Sequence, residues 1–256
     1  MKKLLEKIVH FMYSAYVIVS FFLSMIISIV VYLLLLVLPR MRRLKLIYKY
    51  NRIWLDVWGI FSGLRMELQN ESYLDPKQNY VFVGNHNSML DILIAGSRIQ
   101  HPFYSLAKKE LLRFPMLGIL LSMICIPVDR SSRSSRENSY KRMLDTLEAG
   151  FSILVFPEGT RNRSTNPLKK FHDGAFKLAI DAQVPIAPFV LLHVKYLQPV
   201  DTWLVKPGKI VQCYLPPIST KGLGPADIDS LKDKVYRRIE AVLKEEDKLF
   251  VANPKG

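Results

Sequence analysis

Three observations predict an α/β fold for this chain, with a central, mostly parallel sheet flanked by helices and an N-terminal helical segment set before it. From Asn79 onward, short apolar runs alternate with stretches of helical periodicity, the order that arises when crossover helices cover a parallel sheet. The apolar runs are mostly too continuous for an exposed sheet, as in strands buried on both faces. Half of the 256 residues are hydrophobic, enough to bury one core.

The first element is the least polar. Phe11 to Leu38 carries no charged residue; as a helix at ~1.5 Å per residue it reaches about 42 Å, ample to cross a bilayer. It is too long for the core of a signal peptide, and no small-residue cleavage pattern follows, so it is expected to be retained. Arg40, Arg42, Arg43, Lys45, Lys49 and Arg52 come directly after Pro39, a basic run that suits an anionic cytosolic membrane surface and puts the rest of the chain on that side. Lys2, Lys3 and Lys7 precede the apolar run, so both of its ends are drawn to the same side. A tilted or half-inserted helix is therefore an alternative to a full span. Leu44 to Leu64 mixes Ile47, Trp54, Trp58 and Phe61 with Lys and Arg. It reads as an interfacial helix, or equally as one packed on the core. The expected division is residues 1–64 as membrane-anchoring helices and 65–256 as the α/β domain.

Within that domain Tyr80 to Val83 reads as a strand, Gly84 to Asn87 as a loop and Ser88 onward as a helix. Phe103 to Ala107, Ile124 to Val128, Phe151 to Phe156 and Pro185 to Val194 are further strands, and Ile210 to Leu215 is an expected edge strand. Ser134 with Glu137 has the form of a capping box, followed by Tyr140, Met143, Leu144 and Leu147 at helical spacing and a closing Gly150. The last helix is expected over Ile228 to Lys248, burying Leu231, Val235, Ile239 and Val242.

The 36 Lys and Arg against 22 Asp and Glu leave a formal charge of +14, so the partner should be anionic: nucleic acid, acidic lipid or an acidic carrier. Cys125 and Cys213 are the two cysteines, both in apolar stretches. They give little support to a disulfide framework or a thiolate metal cluster, and suit a reducing setting.

The loop after the first predicted strand places His86 at a strand end and Asp91 one turn into the next helix. On one continuous helix two residues five apart point ~140° away from each other, so a His-Asp pair forms only if His86 lies in the turn before the helix. With Asp91 on one ring nitrogen, the other is free to take a proton from a hydroxyl. The alternative is a cap in which Asp91 serves only Ser88. Metal binding is not expected, because one His and one Asp lack the further ligands that a metal needs. Phe156-Pro157-Glu158-Gly159-Thr160-Arg161 follows a strongly apolar strand, and ligands of α/β sheets collect at the carboxyl ends of strands. Gly159 admits close approach to a ligand. Arg161, Arg130 after Val128, and Lys108 and Lys109 after Ala107 together form a candidate anion site at three strand ends.

With these motifs in order the chain resembles the lysophosphatidic acid acyltransferases. Asn85-His86 through Asp91 matches the family's His-four-residues-Asp block, Ile126 to Arg130 the block ending in Asp-Arg, Phe156 to Arg161 the Phe-Pro-Glu-Gly-Thr-Arg block, and Val184 to Pro188 the fourth block. The match runs from about Tyr80 to Val194, with one departure at Pro127, which bears on local strand geometry. The resemblance implies a membrane-attached enzyme that moves a fatty acyl group from an acyl carrier protein or coenzyme A thioester to the sn-2 hydroxyl of lysophosphatidic acid, giving phosphatidic acid for phospholipid synthesis. It needs no cofactor, metal or nucleic acid and faces the cytosol from the inner or cell membrane. His86 and Asp91 are then catalytic, and Lys108, Lys109, Arg130, Glu158, Gly159, Thr160 and Arg161 bind the substrate, with Glu158 and Gly159 shaping the acceptor site. Backbone amides near Gly159 are candidates for an oxyanion site. No Gly-x-Ser-x-Gly elbow is present, consistent with direct attack and no acyl-enzyme. Competing readings are acylation of glycerol 3-phosphate or another lysophospholipid, hydrolysis of the same thioester, and a non-catalytic membrane-tethered protein that binds lipid or nucleic acid.

Overall fold

The computed structural model describes residues 2–129 and 132–247. Two long helices lead: α1 (Lys2–Leu34), then a single 3-10 turn, then α2 (Arg40–Ser62). The α/β part runs β1 (Leu64–Gln69), β2 (Val81–Gly84), α3 (Leu90–Arg98), β3 (Phe103–Lys108), α4 (Pro115–Ile124), β4 (Cys125–Val128), α5 (Arg133–Glu148), β5 (Ser152–Val155), α6 (Gly174–Asp181), β6 (Ile186–Leu192), α7 (Val194–Leu197), β7 (Gly208–Tyr214) and α8 (Ile228–Glu246).

The strands form one sheet in the order β1-β7-β6-β2-β5-β3-β4. Neighbours from β6 through β4 are parallel, β7 is antiparallel to β6, and β1 is parallel to β7. Every residue of β2 and β6 is buried, which is why these segments read as unbroken apolar runs. The α/β class with helices around a mostly parallel sheet is the one predicted from sequence.

Four expectations need correction. Ile210 to Leu215 is not at the edge: β7 lies between β6 and β1, because Leu64–Gln69, a segment for which no strand is expected from sequence, forms an outer strand. Its alternation of Leu64, Met66 and Leu68 with Arg65 and Glu67 suits an edge with one face to solvent. The helix after β2 starts at Leu90, not Ser88. The cap of α5 is Ser132, not Ser134: its hydroxyl accepts from the Ser135 N–H, and the helix starts at Arg133, two residues earlier than a Ser134 cap would place it. In α8 the fourth buried position is Leu243, not Val242, and Lys248, the expected end of the helix, lies outside the described residues. Pro127 occupies the edge strand β4, where a missing N–H is tolerated.

The helices α1 and α2 form an antiparallel hairpin. The Tyr13 hydroxyl donates to Ser62 O (2.5 Å), Trp58 Nε1–H to Ser20 Oγ (3.2 Å) and the Tyr32 hydroxyl to Asn51 Oδ1 (2.9 Å), and Phe21 stacks on Trp54. Leu44, Ile47, Tyr48 and Leu55 of α2 are buried against the sheet side, with the Tyr48 ring stacked on Phe103 and its hydroxyl on Phe103 O. The opposite face exposes Ile53, Val57, Ile60 and Phe61. The reading as a helix packed on the core holds for the inner face, and the outer face is left exposed. Gly63 ends α2 in the left-handed region (φ 70°) and turns the chain into β1. Of the described helices, only α1 with its following turn is long and apolar enough to cross a membrane, and most of that stretch is exposed.

Candidate active site

The parallel strands β2, β5, β3 and β4 are successive neighbours, so their C-terminal ends share one edge of the sheet. At ~4.8 Å per strand, the ends of β5, β3 and β4 lie about 5, 10 and 14 Å from that of β2 along this edge. His86 follows β2, Glu158 to Arg161 follow β5, Lys108 ends β3 and Lys109 comes next. Arg130, beyond β4, lies outside the described residues.

His86 sits in the turn before α3, as the His-Asp pairing required. Its Nδ1 lies 2.8 Å from Asp91 Oδ2, a carboxylate with no solvent exposure, while the His86 side chain is 15% exposed. The same Oδ2 accepts the backbone N–H of Asn87 (2.5 Å) and of Ser88 (2.7 Å). Asp91 therefore orients the imidazole and caps the turn together, so the two readings of this residue are one arrangement. A carboxylate can only accept, so Nδ1 carries the proton and Nε2 is left as the basic nitrogen. Among the described residues Nε2 has no hydrogen-bond partner.

The ring is held from behind. Phe156 stacks on it at 4.5 Å between centroids and 19° between planes, and Phe189 meets Phe156 edge-on. Phe189 fits beneath the strand end because Gly84 has no side chain; a Cβ there would overlap its ring. Asn85, fully buried, donates its amide N–H to Leu191 O (3.0 Å) and accepts from Leu191 N–H (2.7 Å), so a side chain extends the sheet ladder up to the residue before His86. The Ser88 hydroxyl donates to Gln198 Oε1.

Glu158 ties this loop to the next one. One carboxylate oxygen accepts the His86 N–H (2.7 Å), the other the Lys169 N–H (3.0 Å). Burial pushes its carboxyl up to about 7, against the pull of these two N–H groups and of His86. The Asn162 N–H donates to His86 O (2.7 Å), and its side chain closes the segment at Asn166 O (2.8 Å). Gly159 adopts φ 72°, and a Cβ on it would lie 3.0 Å from the His172 ring, so both conformation and space require glycine. Its N–H donates to Phe156 O (3.1 Å). That amide is therefore engaged within the turn.

The cations are arranged differently. Arg161 is half-buried, Lys108 and Lys109 are exposed, and no carboxylate lies within ion-pair distance of the three among the described residues. Thr160 is exposed and its hydroxyl accepts from Lys169 Nζ (2.6 Å). Lys109 also lines a cavity of about 330 Å³ with Pro127, Asp129, Ser135, Asn138 and Arg142, at the β3 and β4 end of the same edge. Sequence reasoning missed Lys169, His172, Asn162 and Gln198. No spacing or local pattern marks them, because they reach the site through a long loop and a sheet crossover.

The family model described as Acyltransferase matches residues 65–192. The 1-acyl-sn-glycerol-3-phosphate acyltransferase alpha of Mus musculus is 33% identical over 186 residues, covering 72% of this chain and 65% of that protein. An uncharacterized acyltransferase of Schizosaccharomyces pombe is 33% identical over 197 residues, covering 74% and 70%. The chain thus spans just under two thirds of the length of the mouse relative. The crystal structure of the 1-acyl-sn-glycerophosphate acyltransferase PlsC from Thermotoga maritima has the same fold, with a TM-score of 0.79 at 20% identity over 93% of this chain and 96% of that one.

Proposed function

The chain belongs to the lysophosphatidic acid (1-acyl-sn-glycerol-3-phosphate) acyltransferase family, and from that premise we propose that it transfers a fatty acyl group from a thioester to the sn-2 hydroxyl of lysophosphatidic acid. The observation that carries this reading is the His86 Nδ1 to Asp91 Oδ2 contact of 2.8 Å, which leaves Nε2 as a base at a partly open sheet edge. Nε2 takes the proton of the acceptor hydroxyl as its oxygen attacks the thioester carbonyl. Asp91 holds the tautomer and stabilises the imidazolium that forms. When the tetrahedral adduct collapses, the C–S bond breaks and the imidazolium returns the proton to the departing thiolate.

Arg161, Lys109 and Lys108, with Arg130, supply the phosphate-binding side. Glu158, Gly159 and Thr160 shape the acceptor pocket, with Glu158 holding the two loops in register. Fixing the hydroxyl against Nε2 can lower the barrier by roughly 7 kcal/mol or more at best. The donor is an acyl carrier protein or coenzyme A thioester, and the positive charge of the chain suits both. Residues 1–64 are the membrane anchor, with the apolar exposed faces of α1 and α2 in the lipid and the basic start of α2 at the cytosolic headgroups. The product, phosphatidic acid, enters phospholipid synthesis.

The test is acyl transfer from labelled oleoyl or palmitoyl thioesters to lysophosphatidic acid by purified protein in vesicles. His86→Ala runs alongside, with glycerol 3-phosphate as competing acceptor. Phosphatidic acid from wild type and none from His86→Ala is the expected result. An active His86→Ala enzyme overturns the role of His86, free fatty acid as product overturns acyl transfer in favour of hydrolysis, and preference for glycerol 3-phosphate overturns the acceptor.

A further inference from the structure

We propose that a second anion site, separate from the His86 edge, lies at the foot of the N-terminal hairpin and takes the phosphate headgroup of an anionic phospholipid. A cavity of about 500 Å³ opens there, lined by Arg40 and Arg43 of α2, Arg142 of α5, and Leu36, Met123 and Ile126. That size lies in the usual range of small-ligand sites. It lies away from the His86 loop itself, and Arg142 also borders the Lys109 cavity at the far end of that edge. Tyr104, which also lines it, is the second residue of β3, and Phe151 beside it precedes β5, so the cavity lies toward the N-terminal ends of strands whose C-terminal ends form the other site.

Among the described residues, no carboxylate lies within ion-pair distance of the three guanidinium groups. Arg40 is held in place by its Nε–H on the Tyr104 hydroxyl (2.6 Å) and by the rings of Tyr104 and Phe151, 4.6 and 4.9 Å below it. Its terminal nitrogens are left for a ligand. Arg43 reaches Leu36 O at 3.4 Å, and its Nε is buried without a hydrogen-bond partner. Arg142 makes no ion pair, and among the described residues no acidic side chain lines the cavity. Three other arginines, Arg98, Arg163 and Arg237, each sit on an aspartate. Three like charges around one cavity repel each other until an anion enters, and planar guanidinium forks from two helices suit a phosphate.

A lipid fits better than free phosphate because the cavity is amphipathic. Leu36, Met123 and Ile126 form an apolar wall, and Leu34 and Val37, 70% and 87% exposed, carry that surface along the end of α1, the helix that meets the bilayer. The headgroup would bridge α2 to α5 and lock the hairpin onto the α/β domain at an anionic membrane. This holds whatever reaction His86 serves.

The test is native mass spectrometry of the full chain in neutral detergent, titrated with dihexanoyl phosphatidic acid, dihexanoyl phosphatidylcholine or inorganic phosphate. Wild type, Arg161→Ala and the double variant Arg43→Gln with Arg142→Gln are compared. Expected is a phosphatidic acid binding event that survives Arg161→Ala and weakens by about tenfold or more in the double variant, as for the loss of charge-assisted hydrogen bonds to phosphate. Phosphatidylcholine and inorganic phosphate should bind at least about tenfold more weakly than phosphatidic acid, lacking net charge or the apolar part. Unchanged affinity in the double variant overturns the site, and inorganic phosphate binding as tightly as the lipid overturns its assignment to a headgroup. The single variant Arg142→Gln, at an exposed position, separates binding from folding. Without lipid its thermal midpoint should stay level or rise as repulsion is relieved, and a lowered midpoint with full lipid binding would make Arg142 a structural residue instead.

Discussion

Two parts of one sheet edge solve different problems. The His86 loop is saturated with short contacts: three donors converge on one Asp91 oxygen, two backbone N–H groups hold Glu158, a ring stacks behind the imidazole, and Asn85 pins the preceding residue to β6. A few ångströms along, Lys108, Lys109 and Arg161 stand with no acidic partner among the described residues. A base must be placed within fractions of an ångström and in one tautomer, which demands burial and rigid donors. A phosphate is large, doubly charged and hydrated, so flexible cations that swing onto it suffice. Buried precision at one end and solvated charge at the other fit the proposed transfer to a phosphate-bearing acceptor.

Substitutions at the two parts should therefore fail differently. After the loss of all turnover in His86→Ala, the largest effect is expected for Asp91→Asn. Turnover should fall by roughly 10²- to 10⁴-fold as the tautomer and the stabilised imidazolium are lost, and steady-state kinetics with a KM little changed would check it. Losing less than tenfold would reduce Asp91 to a cap.

Next comes Glu158, whose folded carboxyl, pushed up to about 7 from 4.5, works against stability when ionised. The stabilising share of this group is complete below pH 4.5 and is lost as pH rises through 7. That loss amounts to up to about 3 kcal/mol. Glu158→Gln should flatten this slope, so its stability relative to wild type improves as pH rises from 4.5 to 8, while the lost acceptor for Lys169 N–H costs about 1 kcal/mol at every pH. Denaturation series at several pH values give both numbers, and parallel curves would show that Glu158 does not titrate in this range.

Arg161→Ala should raise KM for lysophosphatidic acid about tenfold with kcat nearly constant, since it removes one cation contact from binding and none from the chemistry. An unchanged KM would take Arg161 out of the phosphate site. The smallest effect is expected for Lys109→Ala: an exposed cation should change KM by only about two- to fivefold and lose that effect at high salt. Kinetics at two ionic strengths decide this, and salt-independent loss would mean that Lys109 is desolvated by substrate.

Much of this was legible in order along the chain. The strands β2 and β6 announced themselves as apolar runs because both faces are covered, and Gly150 and the Met143 and Leu147 spacing marked α5. The His86 to Asp91 spacing, together with the loop before the helix, was enough to expect their pairing. The outer strand β1 was missed because its alternating, charge-bearing pattern follows an aromatic-rich helix without a break in composition, and only Gly63 marks the turn.

By itself, then, the sequence determined the buried strands β2 and β6 and the helices α5 and α8, that the N-terminal segment is apolar, and which short motifs bring His86 and the Glu158 to Arg161 loop to strand ends. These depend on neighbours a few residues apart, where periodicity and turn chemistry act directly. Only the tertiary structure decided that β7 lies inside the sheet, that Glu158 takes the N–H of His86 across 72 positions of chain, and that Arg142 meets Arg40 and Arg43 at one cavity. Such contacts are chosen by the joint burial of apolar faces and the pairing of backbone groups, free-energy terms of the whole folded chain that no local stretch carries.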